Sequence, residues 1–167
     1  MRLVTFVGES GIEKAGALID GGQAVLDLQR AYTLTRGGEL PALSSVLALA
    51  EAGKPEQDLA RSLVEKAPVD AVTSRSVVRL RAPIQPPPQM RDFSCFELHL
   101  RQSFAAARRA RALRTPDPEA TLKAMNTSAD DRVIEVFNRQ PIYYKCNIFA
   151  VMGADDDFEW PRFCKAL

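Results

Sequence analysis

An α+β fold, a small unit followed by a second one, is what the 167-residue sequence predicts, and three features carry that expectation. The first 28 residues hold three short apolar runs of strand length, after Leu28 the apolar spacing turns helical, and a proline-dense stretch then interrupts the chain. In order, Leu3 to Val7, Ala15 to Ile19 and Ala24 to Leu28 read as strands, with Gly21-Gly22 marking the hairpin between the second and third. Leu43, Val46, Leu47 and Ala50 share one helical face that Gly53 ends, and Leu59, Leu63 and Val64 form another after Pro55. Asp20, Asp27, Asp58 and Asp70 are scattered over this part and suggest scaffold rather than catalysis.

Pro83 to Pro88 carries four prolines in six residues, which removes backbone donors and favours an extended linker. The boundary is expected just before the preceding strand, near Ser76, giving units of residues 1–76 and 77–167. Beyond the linker, Asp92 and the only histidine, His99, stand seven positions apart. On one helix that spacing is nearly two turns, so both side chains would look to the same side, beside an apolar stripe of Phe93, Phe96, Leu100, Phe104 and Ala107. Glu97, Arg101 and Arg108 fall opposite on that reading. A carboxylate there can hold a hard cation and an imidazole can take a proton. The same spacing also suits an N-capping aspartate and a histidine hydrogen-bonded beside a core.

Arg108, Arg109, Arg111 and Arg114 make a basic helix face, but the net charge of +1 and the absence of interleaved aromatics argue against nucleic-acid binding. Residues 115–140 read as an excursion with a short helix about Leu122 and another through Val133, Val136 and Phe137, either a lid or a plain surface insertion. Asp155-Asp156-Asp157 lacks the alternate spacing of a calcium loop and reads as a solvated turn. Cys95, Cys146 and Cys164 fit reduced thiols, and no run of apolar residues approaches a membrane span, so a cytoplasmic protein is expected.

Several of these pieces together resemble the fumarylacetoacetate hydrolase family. Val78 to Ile84 followed by Pro86-Pro87-Pro88 is similar to the entry of that family's catalytic domain, and the Asp92-x6-His99 spacing is its sharpest match. Pro141-Ile142-Tyr143-Tyr144-Lys145-Cys146-Asn147, and Val151 to Asp157 running on to Trp160-Pro161, resemble its next strand, turn and strand entry. The resemblance implies a mixed β-roll that begins in residues 77–167 and hydrolysis of a carbon-carbon bond in a 1,3-dicarbonyl, acylpyruvate-like acid. It also implies Mg²⁺ or Ca²⁺ as cofactor, Asp92 as a metal ligand, His99 as general base, and Tyr144, Lys145 and Arg108 as substrate contacts. Lys145 is equally readable as an exposed strand charge, and Arg108 can serve only if the helix ends early.

Ser94 stands where the family's founding enzyme has a tyrosine, which implies a different substrate. The sequence ends at Leu167, before the family's Glu-x-Glu metal pair, so the expectation is the front portion of a homodimeric hydrolase, inactive as this chain alone. Two other classes stand beside it: a non-catalytic chain that associates with partner subunits, and a basic-helix nucleic-acid module.

Overall fold

The computed structural model describes residues 1–125, 127–159 and 162–164 and is a mixed α+β protein of two compact units. One comprises residues 1–88 together with the returning segment from residue 148 onward, and the other residues 89–147.

The first unit is an antiparallel five-stranded sheet of β1 (Arg2–Val7), β2 (Glu13–Ile19), β3 (Ala24–Asp27), β4 (Val72–Ser74) and β5 (Arg79–Arg81), in the order β4-β3-β2-β1-β5. Its three helices are α1 (Leu28–Arg36), α2 (Val46–Ala52) and α3 (Lys54–Lys66). Their caps are local. The Asp27 carboxylate accepts the Arg30 N–H at 2.9 Å, the Ser45 hydroxyl accepts the Ala48 N–H at 3.0 Å, and Gly53 at φ 96° closes α2 as it opens α3.

Strand alternation sorts the side chains into two cores. Ala15, Ala17 and Leu26 join Leu28, Ala31, Leu43, Leu49, Ala60 and Leu63 from the helices. Val4, Phe6, Val25, Val78 and Leu80 pack together as the second cluster. Gly16 makes room for the Phe6 ring, because a Cβ built on it would lie 2.9 Å from two Phe6 ring carbons and from the Leu26 carbonyl. Gly16→Val is therefore expected to destabilise the unit by about 1–3 kcal/mol through overpacking, read as a lowered Tm.

The strands over residues 3–7, 15–19 and 24–28 and both helical runs are found as expected, except that Leu28 opens α1 instead of closing β3. The boundary near Ser76 does not separate the compact units. β5 pairs with β1 through Thr5↔Arg81, Phe6↔Leu80 and Val7↔Arg79, so residues 79–81 complete the N-terminal sheet. The proline stretch stays with this unit as well. Thr5 Oγ1 donates to the Pro83 carbonyl at 2.7 Å, and Ile84 packs on the larger core.

The second unit holds β6 (Arg91–Phe93) paired antiparallel with β7 (Tyr143–Lys145), and the helices α4 (Glu97–Ala112), α5 (Pro118–Ala124) and α6 (Ser128–Arg139). Asp117 caps α5 by accepting the Ala120 N–H at 3.0 Å. Its core is thin: Ala112 and Ile134 are its only buried apolar residues among those described, while Phe96, Leu98, Leu113 and Tyr144 are exposed.

Candidate functional site

Asp92 and His99 do not share a helix. Asp92 is the middle residue of β6, and α4 begins five residues later at Glu97, with His99 third in its first turn. The i to i+7 argument therefore does not apply to this pair. Backbone pairing with residues 143–145 claims Arg91 to Phe93 for a ribbon, and Ser94 N–H donating to the Ile142 carbonyl at 2.9 Å extends it by a residue. Phe93 and Phe96 thus lie outside the helix, and Phe96 is 73% exposed.

The ribbon instead joins Asp92 to Tyr144, which are direct cross-strand partners. Ladder bonds at Met90 with Cys146 and at Ser94 with Ile142, each two residues away, make Asp92 and Tyr144 a hydrogen-bonded pair with Cα atoms about 5.5 Å apart. Both side chains project from one face of the ribbon and both are exposed. Lys145 pairs with Arg91 on the other face, so two neighbouring sequence candidates, Tyr144 and Lys145, are turned apart. On that second face Phe93 and Tyr143 are in ring contact at 5.2 Å, and the Arg91 guanidinium carbon lies 4.6 Å from the Tyr143 ring centroid.

On α4 the half-buried side is formed by Glu97, Leu100, Phe104, Ala105 and Arg108, ending in buried Ala112. His99 points away from it and is exposed. Arg108 follows Phe104 by one turn and so must share its side, contrary to the expected placement opposite the apolar stripe. There it forms an ion pair with Asp130 in the first turn of α6. Because α4 runs unbroken to Ala112, the condition under which Arg108 would serve as a substrate contact is not met. Arg101 is also engaged, donating from Nε to Glu97 at 2.7 Å, and this hydrogen bond holds the Glu97 carboxyl below the usual carboxylate range. Of the basic face, Arg108 is thus neutralised by Asp130.

The acidic run is not a solvated turn. Asp155 accepts two hydrogen bonds from the Arg75 guanidinium, both 2.8 Å, and the Leu80 N–H at 2.7 Å. Asp156 pairs with Arg81 and, at 3.6 Å, with Arg79, and it accepts the Gly153 N–H at 2.7 Å. The Leu80 N–H first, then Arg75, hold the Asp155 carboxyl below its ordinary range. No strand forms over Val151 to Asp157, and the Trp160-Pro161 pair lies outside the described residues. The signal for this network was in the sequence: Arg75, Arg79 and Arg81 on the strand approach are the complement of three consecutive acids.

Among the described residues no group of three His, Cys, Asp or Glu side chains gathers where a metal ion could be held. A six- to eight-oxygen shell is not met by the single exposed carboxylate of Asp92, so these residues by themselves do not fit Mg²⁺ or Ca²⁺. No described helix is long and apolar enough to cross a membrane. No protein-family model matches the chain, and no curated protein does either.

Proposed function

We propose that the chain carries part of the site of a fumarylacetoacetate hydrolase-like enzyme that cleaves a carbon-carbon bond in a 1,3-dicarbonyl acid. The observation that carries the reading is the cross-strand pairing of Asp92 with Tyr144, which makes neighbours of two residues the resemblance singles out from distant parts of the sequence. His99, exposed on the first turn of α4, is free to act as general base on water, and Tyr144 to hydrogen-bond a substrate oxygen. Lys145, on the opposite ribbon face, and Arg108, engaged by Asp130, drop out of the substrate-contacting set.

The family's chemistry uses a divalent cation to stabilise an enolate. One carboxylate does not make that site. The 167-residue chain is expected to show neither tight Mg²⁺ binding by calorimetry nor cleavage of an acylpyruvate. Within a protein that supplies the further oxygen ligands, it should consume the acylpyruvate, followed by loss of the enol absorbance. Cleavage by the 167-residue chain alone would rule out the partial-site reading, and failure of that protein on acylpyruvates would rule out the hydrolase.

A further inference from the structure

A groove of about 570 Å³ runs between α6 and the approach to β7, within the size range of small-molecule sites. Its α6 wall is the helix face Ala129, Arg132, Val133 and Val136, and its other wall includes Ile142 and the Tyr143 ring. Ile134 occupies the buried side of α6, so Val133 and Val136, 38% and 42% exposed, form a second apolar stripe that the unit does not cover. With Ala129 the stripe follows α6 for about two turns, on the order of 10 Å.

Positive charge borders this apolar floor. Arg132 lines the groove, and Arg91 stacks on the same Tyr143 ring that forms its wall. Arg91 sits directly across the ribbon from Lys145, an arrangement of like charges that costs stability unless an anion lies between or beside them. Among the described residues, none of Arg91, Arg132 and Lys145 has a carboxylate partner within ion-pair distance. An open apolar groove with unpaired cations beside it is the complement of an apolar chain that ends in a single negative charge.

We propose that this groove binds an aliphatic carboxylate, its chain along Val133, Val136 and Ile142 and its carboxylate among Arg91, Arg132 and Lys145. The inference goes beyond the hydrolytic reading and uses neither Asp92 nor His99. Its test is direct binding, so it fails or holds separately from any assay of turnover.

The experiment titrates the 167-residue chain with decanoate below its micelle concentration, following the Val133, Val136 and Tyr143 signals by NMR. Saturable shifts confined to the groove are expected, with decanol at least about tenfold weaker because it brings no charge. Arg132→Gln and Arg91→Gln, both exposed positions that should leave the far-ultraviolet circular dichroism unchanged, should each weaken decanoate about tenfold without affecting decanol. Arg36→Gln on α1 should do neither. Equal affinity for decanol and decanoate, or full affinity retained in both arginine variants, would overturn the proposal. So would the absence of saturable shifts, which would leave the groove to a macromolecular partner.

Discussion

Gly153→Ala is expected to detach the returning segment around residues 148–157 from β5 while the sheet and α1 to α3 stay folded. A Cβ at Gly153 would lie 2.5 Å from both the carbonyl carbon and the Cα of Arg81 and 2.6 Å from the Ala82 nitrogen. All three are backbone atoms, so no rotamer change relieves the clash, and either the strand or the segment must move. β5 is already held by β1 and by the packing of Leu80, whereas the segment is held by Asp155 and Asp156. The segment should therefore be the part that yields.

Limited proteolysis should then cut between residues 148 and 159 much faster than in the parent, and hydrogen exchange at Leu80 and Asp155 should lose protection. Charge-assisted hydrogen bonds contribute about 1.5–3 kcal/mol each where water is excluded and less here, since the Arg75 and Asp155 side chains are 28% and 30% exposed. Arg75→Ala should accordingly loosen the segment less than Gly153→Ala does. Unchanged proteolysis in Gly153→Ala would show that the close approach to Arg81 does not fix the segment.

The same contacts set a pH dependence. Because the Leu80 N–H and Arg75 lower the Asp155 pKa in the folded state, its contribution is fully present above the unfolded carboxylate value of about 4. It is lost as pH falls through the lower folded value. Protection at Leu80 should persist through neutral pH and decline in acid, and Asp155→Asn should flatten that decline at the cost of weaker docking at neutral pH.

How far the sequence could be read follows the range of the interactions. β1 to β3 and the first helices announce themselves because hairpins, caps and apolar periodicity are local, and Asp27, Ser45 and Gly53 act on neighbours within a few residues. β4, β5 and β6 are three residues each, and each is defined by a partner far along the chain. Nothing within residues 91–96 announces the partner at 143–145, so the local pattern alone favours a helix continued backwards through Asp92. Ser94, Cys95 and the two phenylalanines are mediocre helix formers, and that weak preference was the available warning. The side of Arg108 was legible, since Phe104 and Arg108 are one turn apart. The role of the acidic run was legible only as charge complementarity to Arg75, Arg79 and Arg81, because the pairing itself depends on β5 joining the N-terminal sheet.

The change from helix to ribbon sharpens the prediction for activity. In an active protein that contains this chain, His99→Ala should remove the proposed base that activates water and lower kcat on the order of a hundredfold to ten-thousandfold. Because His99 stands on the exposed side of α4, its loss should leave the Tm and the Mg²⁺ concentration for half-maximal rate unchanged. Asp92→Ala should instead move that Mg²⁺ dependence to higher concentration, with the rate partly recovered at saturating metal, as its proposed role as one carboxylate ligand among several requires. Tyr144→Phe, across the ladder from Asp92, should raise KM without moving the metal dependence. A rate that survives His99→Ala, or a Mg²⁺ dependence indifferent to Asp92→Ala, would mean that these residues do not carry the roles proposed for them.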